Sequence, residues 1–196
     1  MKDIIKLILV LTIICTGFGA LLAVVNHKTK EPIKQANARE KSQAIKAVLP
    51  DCDNDPNTNT NTIYLADGKT MVFHVARKDN QFVGVAFLSS SAEGYGGDIN
   101  VMVGITADQL VQAIKILPPK KETPGLGANI ESDSFRTNFH QKPLADTTWK
   151  VRKDGGDIVE ITAATISSRA VVAAVKAGID VFTANEEEIR KTGEQN

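Results

Sequence analysis

The residues with the most chemical potential lie in ITAATISSRAVVAAV, residues 161–175, where Thr162, Ala163, Ala164 and Thr165 directly precede an apolar, alanine-rich stretch. Val171, Val172, Val175 and Ile179 have helical spacing, so these residues sit at a helix start, where Ser and Thr satisfy orphan amides. The position has a second chemical use. A helix N-terminus offers unpaired N–H groups and a partial positive charge, so a phosphate can rest there without a lysine or arginine. The small residues at 162–164 leave room for it, and a threonine hydroxyl can be joined to the phosphorus itself. EGYGGD, residues 93–98, and ETPGLG, residues 122–127, put glycines where backbone adopts positive φ or approaches another group closely. Each alone reads as a tight loop, and neither matches a P-loop or a dinucleotide fingerprint. Together the three stretches describe one site for a phosphorylated ligand with a flat ring.

Other chemistries find less support. The 23 basic and 23 acidic residues balance, and the basic residues are not interleaved with aromatics, so the footprint of a nucleic-acid binder is missing. Cys15 lies inside a hydrophobic segment and leaves Cys52 without a partner, so there is no disulfide framework and no zinc spacing. Cys52 beside a polar loop is an incidental thiol, and His27, His74 and His140 read as surface or packing residues.

The elements that must position the site follow from patterning. TIYLA, TMVFHVA, FVGVAFLSS, INVMVGIT and VQAIKIL read as strands, with turns at Asp67-Gly68 and near Asp79-Asn80, and they predict a largely antiparallel sheet. ADQLVQAIKIL also fits a short helix. SDSFRTNF predicts a short helix, TWKVR a short strand, residues 167–184 the principal helix, and EEEIRKTGEQN a solvated tail. DCDNDPNTNTNT, residues 51–62, is a polar loop. A sheet with helices packed on it is an α+β domain.

Ahead of that domain, residues 7–25 carry no charge, close to the ~20 residues a helix needs to cross the hydrocarbon core. A single-pass anchor is the leading reading; a cleaved signal peptide is the alternative, given the small residues Gly17, Gly19 and Ala20. EPIKQANAREKSQAIKAVL predicts an amphipathic juxtamembrane helix with Pro32 in its first turn and Pro50 closing it. The expected segments are a head at 1–6, a transmembrane helix at 7–27, a juxtamembrane helix or linker at 28–50, the α+β domain at 51–185 and a tail at 186–196. Lys28, Lys30, Lys34, Arg39 and Lys41 outnumber Lys2 and Lys6, so charge bias alone would keep the domain in the cytoplasm.

IKAVLP, GYGGDINVMVGI, ETPGLGANI and TAATISSRAVVAAV, in that order behind one apolar helix, resemble the FMN-binding G subunit of the Rnf electron transport complex, a relative of the C subunit of the sodium-pumping quinone reductase. The resemblance covers nearly the whole chain. It implies an FMN-binding domain, with FMN joined through its phosphate to a threonine by a separate flavin transferase that uses FAD. The final threonine of the family's Ser/Thr-Gly-Ala-Thr motif falls on Thr165. Ala163 stands where the family carries glycine, and neither Glu160 nor Asp157 sits at the family's usual acidic spacing. A methyl group at 163 is costly if that residue needs positive φ.

The resemblance further implies an FMN site drawn from Gly94, Gly96, Gly97, Glu122, Thr123, Gly125, Leu126, Gly127, Ala164, Ile166, Ser167 and Ser168 around Thr165, with no catalytic side chain and no metal. Ser168 is equally well placed as a structural cap. The implied role is a membrane-anchored electron carrier within an ion-translocating ferredoxin:NAD+ oxidoreductase, beside integral membrane and flavin or iron–sulfur subunits. The chain is expected in the cell membrane, touching lipid, its flavin domain on the outer side against the charge bias. Competing readings are an anchored module that binds a small ligand noncovalently and an assembly subunit that has lost its flavin.

Overall fold

A computed structural model describes residues 2–65, 68–118 and 121–193. Met1, the expected turn residue Asp67, and positions 194–196 of the expected tail lie outside the described residues. The chain divides into two units, one ending at Arg39 and one beginning at Glu40.

The first unit is helical. Helix α1 spans Lys2–Val48 with Pro32 inside it, so Pro32 does not lie in a first turn as expected, and the juxtamembrane residues continue the same helix. Pro32 removes one backbone hydrogen bond, but its surroundings are rich in Lys, Gln, Ala, Arg and Glu, all strong helix formers, and the helix continues. Its apolar window is long enough to cross a membrane and buries nothing within the protein.

The second unit begins with the last turns of α1 and not at residue 51. Five strands follow as an antiparallel meander: β1 (Thr60–Tyr64), β2 (Thr70–Lys78), β3 (Gln81–Gly94), β4 (Gly97–Thr106) and β5 (Val111–Leu117), paired in sequence order. The strand reading of VQAIKIL therefore holds over the helical one. Asp79 and Asn80, with φ of 50° and 63°, make the tight turn between Lys78 and Gln81. Helices α2 (Asp133–Arg136), α3 (Thr165–Ala184) and α4 (Glu186–Lys191) complete the unit, with short 3-10 turns at 127–131, 137–139 and 152–154.

Both faces of the sheet are covered, so β3 and β4 read as nearly continuous apolar runs. On one face Phe73, Val75, Val85, Phe87, Val101, Val103 and Ile105 pack under Ala170, Val171, Ala174, Val175 and Phe182 of α3. On the other, Ala76, Ala86, Met102 and Leu117 meet Ala44, Ile45, Val48 and Leu49 at the end of α1. Gly104 lets the α1 backbone lie against the sheet, since a β-carbon there would overlap the Val48 carbonyl. The expected juxtamembrane spacer thus ends as a structural part of the domain.

Two further expectations are corrected. TWKVR forms no strand; Val151 makes only an isolated parallel bridge to Ile158, because the chain coils into the 3-10 turn at 152–154 directly after it. EEEIRKTG is not a solvated tail: α4 buries Ile189 fully, and the Arg190 guanidinium lies 4.7 Å from the Phe82 ring centre and donates to Ala107 O at 2.7 Å.

Candidate functional site

The meander brings the three chemical stretches to one edge. In the β4–β5 ladder Asn100 pairs with Leu117, so the segment leaving β5 emerges beside the β3–β4 turn, and Asn100 Nδ2 ties it down by donating to Pro118 O at 2.8 Å. Gly94 pairs with Gly97 across that turn, leaving Tyr95 and Gly96 at its tip. The start of α3 completes the group.

A single carboxylate joins all three. Glu122 accepts from the Gly96 amide at 2.9 Å on Oε1 and from the Ser167 hydroxyl at 2.5 Å on Oε2. Gly127 is required beside it, because a β-carbon there would collide with the Glu122 carboxylate and the Ser167 hydroxyl. The result is a cleft of about 510 Å³ lined by Tyr95, Glu122, Thr123, Leu126, Gly127 and residues 163–167. That volume lies in the range of small-molecule and cofactor sites.

The beginning of α3 is open toward ligand. Ala164 occupies the cap position and offers no side-chain hydrogen bond. Among the described residues the amides of Thr165, Ile166 and Ser167 find no backbone partner, whereas Ser168 N donates to Ala164 O at 3.1 Å. The Thr165 hydroxyl, half-buried on the cleft wall, likewise has no hydrogen-bond partner among the described residues. An uncapped first turn carries a concentrated partial positive charge, the environment a phosphate prefers. Among the described residues no lysine or arginine lines the cleft.

The expected site residues divide by role. Glu122, Thr123, Leu126, Gly127, Ala164, Thr165, Ile166 and Ser167 line the cleft. Gly94 and Gly97 close the hairpin, Gly96 supplies an amide to Glu122, and Gly125, at φ 76°, forms the turn of the ETPGLG loop. Ser168 points into the protein: it is fully buried, accepts from Ile161 N at 3.0 Å and donates to Ala164 O at 3.0 Å. Its hydroxyl is occupied in shaping the loop before α3, the capping alternative.

Two lining residues were not among those expected. Tyr95 is 72% exposed at the hairpin tip, and its signal in the sequence was an aromatic side chain where turn formers are usual. Ala163 has φ 64°, the left-handed region that disfavours a β-carbon, so its departure from glycine carries the cost anticipated for positive φ.

Residues 94–180 match the family model of the FMN-binding domain. The chain is 35% identical over 187 residues to the G subunit of the ion-translocating oxidoreductase complex of Salmonella typhimurium, covering 90% of this chain and 89% of that protein. The G subunits from Cereibacter sphaeroides, at 33% over 86% of this chain and 80% of the relative, and from Vibrio vulnificus, at 31% over 92% and 90%, are similarly related. Among solved structures, the C subunit of the Na(+)-translocating NADH-quinone reductase from Parabacteroides distasonis aligns over 67% of each chain with 22% identity and a TM-score of 0.46. With this extent of identity along nearly its whole length, the chain belongs to the G-subunit family of ion-translocating oxidoreductase complexes.

Proposed function

We propose that this chain is a single-pass membrane electron carrier whose FMN is esterified through its phosphate to Thr165 Oγ1, working within an ion-translocating oxidoreductase complex. The observation that carries the reading is a threonine hydroxyl without a hydrogen-bond partner among the described residues, on the cleft wall beside the three free amides that open α3. The residues suit the group. Free amides meet the phosphate, Leu126, Ile166 and Ala164 offer apolar surface to the ring, and Gly127 keeps the cleft open.

The lining also favours a covalent link over simple affinity. With no lysine or arginine among the described lining residues and the Glu122 carboxylate next to Ser167, the described part of the cleft offers a free phosphate backbone dipoles alone. In the transfer, Thr165 Oγ1 bonds to the flavin-side phosphorus of FAD, the pyrophosphate P–O bond breaks, AMP leaves with its electron pair, and the hydroxyl proton goes to solvent or to a base of the transferase. When bound, FMN supplies the redox chemistry. Thr165 tethers it, the α3 amides neutralise phosphate charge, and Glu122 holds the hairpin and the helix start together. Residues 7–25 contain no Asp or Glu, so ion movement falls to other subunits.

Coexpression with a flavin transferase tests this. The denatured wild-type band should fluoresce and its intact mass should exceed the chain by FMN minus water, while Thr165→Ala should be dark at the bare mass. A dark wild-type band, or a fluorescent Thr165→Ala band, overturns the linkage and favours the noncovalent module or the flavin-free subunit. We further propose that the domain lies outside the cell membrane, where a permanent tether replaces exchange with a cytoplasmic flavin pool. A C-terminal phosphatase fusion, active only when exported, should be active; an inactive but expressed fusion overturns that side.

A further inference from the structure

We propose that Tyr95 is the ring platform of the site: its phenol packs against the isoalloxazine of the flavin held at Thr165 and shields that ring from solvent. This rests on the FMN reading above and assigns a role to a residue outside the attachment motif. Four observations lead to it. Tyr95 is the one aromatic residue lining the cleft among the described residues. Its side chain is 72% exposed, an unfavourable position for a large ring unless something covers it. It occupies the tip of a hairpin, where Asn, Asp and Gly are the usual residues, so turn geometry does not explain its presence. Its neighbour is fixed: the Gly96 amide is bound by Glu122, and Glu122 by Ser167 two residues from Thr165, so the tip and the attachment point are held in one register.

The other walls agree with this use. Leu126, 47% exposed, and Ile166, 49% exposed, present aliphatic surface to the same cleft from the other two stretches. A flat ring bordered by all three is covered by an aromatic face on one element and aliphatic groups on two. A tyrosine is a low-cost platform, because only two side-chain torsions are lost on stacking.

The test uses the full-length chain loaded by coexpression with a flavin transferase. A phenol in contact with a flavin quenches its excited state by reversible electron transfer, whereas a benzene ring does not. Tyr95→Phe should therefore lengthen the flavin fluorescence lifetime by about threefold or more, and Tyr95→Trp should leave it short. Tyr64, 81% exposed on edge strand β1, is the control, and Tyr64→Phe should leave the lifetime unchanged. Shielding is read separately: Tyr95→Ala should raise the iodide quenching constant about twofold, while Tyr95→Phe, which keeps the ring, should not. An unchanged lifetime in Tyr95→Phe, or unchanged iodide sensitivity in Tyr95→Ala, overturns the platform while leaving the FMN reading standing. A wild-type chain that acquires no flavin overturns both.

Discussion

Ala163 is where residue chemistry and backbone geometry disagree most openly. Its φ of 64° is the conformation glycine adopts freely, and here a methyl group is carried into it next to the cap of α3. The side chain is exposed on the cleft wall, so replacing it with hydrogen removes no core contact. Relief of about 1–2 kcal/mol of left-handed strain outweighs the roughly 0.4–1 kcal/mol that glycine adds to unfolded-chain entropy. Ala163→Gly should therefore raise stability by about 0.5–1 kcal/mol in urea unfolding. Ala163→Val should lower it, because a β-branched residue at this φ is a genuine outlier. A less stable glycine variant would mean that the methyl group makes a contact worth more than the strain. The partial mismatch of TAAT with a glycine-containing motif was legible in the sequence; that residue 163 takes positive φ was not, since it depends on how Ser168 folds the loop onto α3.

Elements were legible where local pattern and tertiary demand coincide. The five strands follow from β-branched and aromatic runs between turn formers, and α3 from an alanine- and valine-rich stripe. What escaped depended on partners distant in sequence. Gly104 inside β4 resembles a weak strand position until the Val48 carbonyl is seen against it, and EEEIRK resembles a tail until Ile189 is seen in the core. That short helix is held by tertiary contacts, since six residues are too few to persist alone. Glu186 pairs with Arg190 at 2.8 Å, and the buried Arg77 donates from Nε to Thr192 O at 3.0 Å and also to Arg190 O. Ile189→Ala should cost about 2–4 kcal/mol in the unfolding free energy, as for other fully buried aliphatic side chains. A loss below about 0.5 kcal/mol, the size of a typical surface substitution, would show that α4 is dispensable to the domain.

At the scale of the whole molecule, the site exists because a meander returns alternate turns to one edge and α3 begins there, so three stretches with little individual meaning become one cleft. The folding of that scaffold is linked to pH through several groups, among them two of opposite charge type. His74 on β2 is buried with Nδ1 2.9 Å from the Pro56 carbonyl, which can only accept, so Nδ1 carries a proton. Burial pushes its pKa below the ordinary value of 6.5, the nearby Lys41 adds to the shift, and the Pro56 bond opposes it. The unfolded chain then binds this proton more tightly than the folded one, so stability is complete above about pH 6.5 and declines as pH falls below it. Asp154 acts in a lower window: its hydrogen bonds from Arg169, both at 2.6 Å, hold its carboxyl below the ordinary 3.8, and the stabilisation is lost as pH falls through that depressed value. Solvent exposure of both partners keeps the second effect small. Thermal unfolding of the chain should show a midpoint that drops between pH 7 and 5 and again below about pH 4. His74→Gln should flatten the first drop and spare the second, whereas Asp154→Asn should spare the first and only lessen the second, because Asp55, held low by hydrogen bonds from Asn57, titrates in the same window. If His74→Gln keeps the full neutral-to-acid slope, the proton responsible is bound elsewhere and the buried imidazole is not what couples this fold to pH.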